Sequence, residues 1–163
     1  LNLATESTCF FNLGENMKKL IIAIAAFTIA SFASAIEIDV SKAHDFKAKA
    51  DGVRVEAQVD VFKVPVTASY TTIDKKYNRY AVGAEYGVAK IGPVALAVTG
   101  SVVYQDTYLS TSKDGYGLTA GAIATLPLVK NISLFASTEV FAGQKRINAF
   151  NGNTGTIGLT AKF

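Results

Sequence analysis

Val53-Arg54-Val55-Glu56-Ala57-Gln58-Val59-Asp60-Val61 alternates without error, small apolar residues at odd positions and Arg, Glu, Gln and Asp at even ones. Successive side chains point to opposite faces only in an extended chain, so a period of two reads as a strand with one apolar and one polar face. Just before it, Phe46-Lys47-Ala48-Lys49-Ala50 alternates in the same way, and the intervening Asp51-Gly52 favours a type I′ turn. A first hairpin is expected there, with Ala50 opposite Val53 and Ala48 opposite Val55. A second short connection at Lys63-Val64 places Val61 opposite Val66 and Phe62 opposite Pro65, and leads into a further alternating run over residues 66–72.

The later runs read likewise: residues 79–88, 94–104, 116–126, 132–141 and 156–163. Eight strands are expected, with no helical period and no repeat of 20 to 50 residues that would signal a solenoid or propeller. The connections alternate in length. Asp51-Gly52, 73–78, 105–115 and 142–155 fall on one end of the sheet, and Lys63-Val64, 89–93 and 127–131 on the other. Short turns on one side and longer loops on the other are the pattern of transmembrane barrels, and an even strand count returns both termini to the short-turn side.

Composition narrows the function classes. Of 163 residues, half are hydrophobic and 18% charged, with 13 glycines and no tryptophan, which excludes a disordered tail, a collagen-like rod and a charged coiled coil. A net charge of +3 with no clustered Lys/Arg stripe gives no footprint for nucleic acid. One domain is the most that this length suggests.

Met17-Lys18-Lys19, the apolar run of residues 20–32 and Ala33-Ser34-Ala35 form, in order, the basic, apolar and cleavage regions of an export signal. The run is shorter than the roughly 20 residues of a membrane-spanning helix. Cleavage is expected after Ala35. Met17 is the only methionine, so residues 1–16 are read as an untranslated upstream segment, 17–35 as the signal peptide and 36–163 as the barrel. The sole cysteine, Cys9, lies upstream, leaving an exported chain without disulfides that depends on its core, its partners or a membrane.

The apolar faces of these strands, among them Val53, Val55, Tyr80, Val82, Leu96, Val98, Leu118, Leu134, Ile157 and Leu159, carry no charge. A soluble barrel could turn them inward, so alternation alone fits both solvents. The chain closes on Thr156-Ile157-Gly158-Leu159-Thr160-Ala161-Lys162-Phe163, an alternating strand ending in an aromatic. With the export signal and strand pattern, this end resembles the small eight-stranded outer-membrane β-barrel superfamily of opacity-like and OmpX-like surface proteins. The resemblance implies an all-β, eight-stranded antiparallel up-and-down transmembrane β-barrel in the outer membrane of a Gram-negative-type cell. It also implies Phe163 as the signal read by the barrel-assembly machinery, and contact with outer-membrane lipid and lipopolysaccharide. Closure agrees with the physics of lipid, where every backbone polar group needs an internal partner. Tyr70, Tyr80, Tyr86, Tyr104 and Tyr116 stand near strand ends, as interfacial girdles require.

The polar faces carry the expected lumen charges Lys47, Lys49, Arg54, Glu56, Asp60, Arg79, Glu85, Glu139 and Lys162, with Asp45 beside them. Two readings stand: the charges pair and plug an interior only wide enough for side chains, or small neighbours such as Ala81, Gly83, Ala95, Ala97, Gly117 and Gly121 leave a narrow charged path. His44, the only histidine, lies near Ser41 and Asp45 ahead of the expected first strand, but strand neighbours alternate faces and no nucleophile elbow is present. No catalytic residue, cofactor or metal site is expected: a lone histidine without cysteine gives no zinc cluster, and Asp106 with Asp114 is too sparse for calcium. The glycines on strands are read as room for large neighbours or as bends, and Asn151-Gly152-Asn153 as a turn. Exposed loops are expected at Lys75-Lys76-Tyr77, 108–113 and 145–150. The expected function is thus a non-enzymatic, monomeric outer-membrane barrel with an envelope-structural or surface-interaction role. The alternatives are a narrow porin-like pore for ions or small solutes, and a soluble periplasmic barrel binding an apolar ligand.

Overall fold

The computed structural model describes residues 36–108, 114–143 and 152–163. Eight strands follow one another: β1 (Ile36–Asp45), β2 (Ala50–Val61), β3 (Val64–Ile73), β4 (Tyr77–Ile91), β5 (Val94–Thr107), β6 (Gly115–Val129), β7 (Ile132–Gly143) and β8 (Gly152–Lys162). Each pairs antiparallel with the next, and β8 pairs with β1, closing the barrel. The seam runs to the chain end, where the Phe163 amide donates to the Ile36 carbonyl at 2.8 Å. The expected upstream and signal segments, 1–35, lie outside the described residues, as do 109–113 and 144–151, which hold most of the two longest loops.

Registry sets the slope of the strands. Passing from partner to partner out of Ile36, through Val59, Val66, Ala84, Gly100, Ala120, Val140 and Asn153, one returns to β1 at Phe46, ten residues nearer the loop end. That stagger tilts the strands by about 40° to the barrel axis. Rows of cross-strand neighbours therefore climb from the turn end toward the loop end as they pass from β1 to β8.

The first hairpin differs from expectation. The first strand is Ile36–Asp45, and Phe46, Lys47, Ala48 and Lys49 form the connection, with Lys49 at φ 51°. Asp45 sets this turn by accepting the Lys47 and Ala48 amides on one carboxylate oxygen, at 2.9 and 2.7 Å. Gly52 serves a different need from a turn: a Cβ there would stand 1.8 Å from the Thr72 carbonyl oxygen, so β2 and β3 approach this closely only at glycine. Gly52 pairs with Ala43, Val53 with Lys42 and Val55 with Val40. The second connection is Phe62-Lys63, with Val61 opposite Val64 and Val59 opposite Val66, a shift of two residues that leaves every side chain on its expected face. Both turn residues have positive φ, 52° and 69°, which is the type I′ geometry made without glycine. The other expected connections shrink too, to residues 74–76, 92–93 and 130–131, because the strands run further than the alternation suggests.

Candidate functional site

The inward faces of the strands place most of the chemistry in the lumen. Toward the loop end Arg79 is 2% exposed, its guanidinium stacked between the rings of Tyr77 (4.4 Å) and Phe141 (4.2 Å). Its Nε–H donates to Gln105 Oε1 at 2.7 Å and another N–H to Thr154 Oγ1 at 3.0 Å. Asp45, fully buried, accepts the Tyr77 hydroxyl proton and lies 3.9 Å from the same guanidinium. Phe141 reaches this position because Gly117 faces it; a Cβ at 117 would come within 2.4 Å of the ring. A desolvated cation between two ring faces gains from their quadrupoles as well as from its hydrogen bonds.

One step toward the turns, Arg54 donates to Glu56 at 2.5 Å and to Glu139 at 2.8 Å. Glu139 also lies 4.0 Å from Arg79, so Glu56, Arg54, Glu139, Arg79 and Asp45 form a continuous series of alternating sign across β1, β2, β4 and β7. A cavity of about 20 Å³ beside Asp39, Arg54, Glu56 and Glu139 is the space of roughly one water.

Other expected lumen residues lie elsewhere. Lys47 and Lys49 are not on an inward strand face; they stand exposed in the β1–β2 connection, because Phe46–Lys49 is turn rather than strand. Asp60 and Lys162 do point inward, at the open turn end, where Lys162 pairs with Glu37. Glu85 lies half-buried on the inward face of β4, in the turn-side half. Phe163 is largely exposed at the closing seam.

Sequence reasoning missed Glu37 and Asp39, which face inward on β1, and Tyr77 and Gln105. Tyr77, expected in an exposed loop, is fully buried in the lumen because β4 begins at that residue. The alternation in Ile36-Glu37-Ile38-Asp39-Val40 was the available signal for the first pair. His44 lies on β1 near the loop end rather than ahead of the first strand at the turn end. It faces outward, its Nδ1 2.7 Å from Asp51, while Ser41 and Asp45 face inward.

The exterior is apolar over most of its height: Val40, Val53, Val55, Val98, Leu118, Ile157 and Leu159 are all exposed. Tyr70, Tyr80, Tyr104 and Tyr116 are direct cross-strand neighbours over β3 to β6, with ring centroids 5.2, 6.5 and 5.2 Å apart. They make a slanted ladder on one side of the barrel, climbing with the register, while Tyr86 stands apart toward the turn end. On the opposite side the loop end carries outward charge, with Lys42 2.9 Å from Asp51.

No protein-family model and no curated protein matches the chain. Among solved structures it is similar to a barrel from the de novo design of transmembrane β-barrels, with a TM-score of 0.61 at 15% identity over 82% of this chain and 98% of that one. It is also similar to the outer membrane protein Ail of Yersinia pestis, solved in a phospholipid bilayer nanodisc, with a TM-score of 0.55 at 14% identity over 80% of this chain and 99% of that one. At such identities the likeness is one of backbone. The chain has the closed, eight-stranded antiparallel fold of small transmembrane β-barrels.

Proposed function

We propose that this chain is a non-enzymatic outer-membrane barrel with an envelope-structural or surface-interaction role, its lumen plugged by paired charges. One observation carries the membrane placement: the fold is inside-out for water. Aliphatic side chains cover the exterior while Arg54, Arg79, Asp45, Glu56 and Glu139 turn inward and find partners there. A barrel in water gains by burying the first set and solvating the second; a barrel in lipid gains by the reverse. The plug reading draws on the same inward pairs, on the two rings enclosing Arg79 and on a cavity with room for about one water.

Separation of His44 from Ser41 and Asp45 by the sheet supports the non-enzymatic reading, since a triad needs its members on one face. Outer-membrane lipid and lipopolysaccharide are the proposed surroundings. Phe163, exposed and main-chain bonded at the last rung of the seam, is the residue offered to the assembly machinery.

Fractionation of expressing cells tests the placement. The expected result is retention in outer-membrane vesicles after a urea wash, with the strands protected from added protease. Release by urea into the soluble fraction overturns the reading and favours a periplasmic barrel.

A further inference from the structure

The five most exposed large hydrophobic side chains among the described residues are Phe62, Phe163, Tyr86, Ile91 and Val129, from 90% down to 62% exposed. All five belong to the turn end. Four of them sit directly beside a lysine: Phe62-Lys63, Lys90-Ile91, Val129-Lys130 and Lys162-Phe163. One such pair occurs at each of the three tight turns and one at the chain end, so the pairs recur at every second strand seam around the whole rim. Lys162 is engaged by Glu37, while Lys63, Lys90 and Lys130 are exposed and make no ion pair among the described residues. Lys90, opposite Ala95 past the β4 bulge, starts from the lumen side of the rim, within reach of the headgroup level along its four-carbon stem.

A turn that only meets water needs the charge and not the neighbouring apolar group. A turn buried in hydrocarbon tolerates the apolar group and not the charge. Both at one level fit the boundary between headgroups and acyl chains, where a lysine reaches phosphate and an aromatic or aliphatic group enters the chain region. A protein partner would engage one side of a barrel, whereas lipid is the partner that meets it on all sides at once. From this geometry we propose that the turn end is a collar selective for anionic phospholipid, with Lys63, Lys90 and Lys130 contacting headgroup phosphates and Phe62, Ile91 and Val129 holding the adjacent acyl margin. It rests on the membrane placement proposed above and adds the lipid class and the residues that choose it.

The test uses protein purified from membranes of expressing cells and reconstituted in phosphatidylcholine vesicles, with insertion checked by protease protection. Trace spin-labelled phosphatidylglycerol or phosphatidylcholine then reports, by the motionally restricted fraction of its spectrum, how strongly each lipid associates with the barrel surface. Phosphatidylglycerol is expected to associate about twofold more strongly at low salt. The preference should fall to parity in the K63Q/K90Q/K130Q variant, and in the parent protein at high salt. A K47Q/K49Q/K75Q variant, altered at the loop end, should keep most of it. Insertion with no preference in the parent overturns the collar alone, as does an unchanged preference in the turn-end variant or an equal loss in the loop-end one. Failure to insert overturns the membrane placement itself, and the collar with it.

Discussion

The loop-side and turn-side halves of the lumen are lined by the same strands and built on opposite plans. Toward the loops, Arg79, Tyr77, Phe141, Gln105 and Asp45 are buried and joined to one another by hydrogen bonds and ring contacts. Toward the turns Phe135 and Ile123 stand among small inward residues such as Ala95, Ala97, Gly83 and Gly87; Glu37, Asp60, Glu85 and Lys162 are half-buried or exposed there, while Asp39 lines the small cavity beside Arg54 and Glu56. The contrast teaches that charge in a small barrel does two kinds of work. Paired and enclosed between aromatic faces it acts as packing; near the rim it is solvated and contributes little to stability.

Arg79→Ala should break the contrast most severely. It leaves Asp45 and Gln105 desolvated without their cation and opens space between two rings, at an expected cost of about 3–5 kcal/mol, read as a fall in the urea midpoint of the folded protein in detergent micelles. A loss below about 1 kcal/mol would put the guanidinium outside the packing. Gly117→Val is next, at about 2 kcal/mol by the same measurement, because the added methyls displace the Phe141 ring from the guanidinium it covers. On the turn side, Glu85→Gln should move the midpoint by less than about 1 kcal/mol, since Glu85 is half-buried and holds no ion pair among the described residues. A large loss there would show the two halves to be packed alike. Lys63→Gly has the smallest expected effect, a gain of about 0.5 kcal/mol, because the residue already holds φ 69° in a turn that favours glycine. A loss of stability would refute the type I′ reading of that turn.

The strand content and the facing of residues from Val53 onward were legible because alternation survives any register shift of two. The Phe62-Lys63 turn was misplaced by one residue at each end without moving a single inward charge to the outside. The first hairpin was not legible, because two adjacent runs alternate and Asp51-Gly52 offers the stronger local turn signal. What decided against it is one nonlocal contact, the collision of any Cβ at Gly52 with Thr72, together with a local one, the grip of Asp45 on the Lys47 and Ala48 amides. In the candidate site, the inward ionic residues of β2, β4 and β7 could be named from phase. Their partners depend on the ten-residue stagger that brings Glu139 beside Arg54, and that stagger is set by closure of the ring rather than by any one strand. The Tyr77 and Phe141 faces over Arg79 escaped notice for the same reason.

Single-channel recording of the protein inserted in a planar bilayer tests the central claim most directly. On the proposed plugged lumen, with the Arg79 layer as its plug, the account predicts an inserted barrel that passes no steady current, and current that appears once Arg79 and Phe141 are both replaced by alanine. Steady, charge-selective steps from the unaltered protein would contradict it and make the inward charges the lining of a pore.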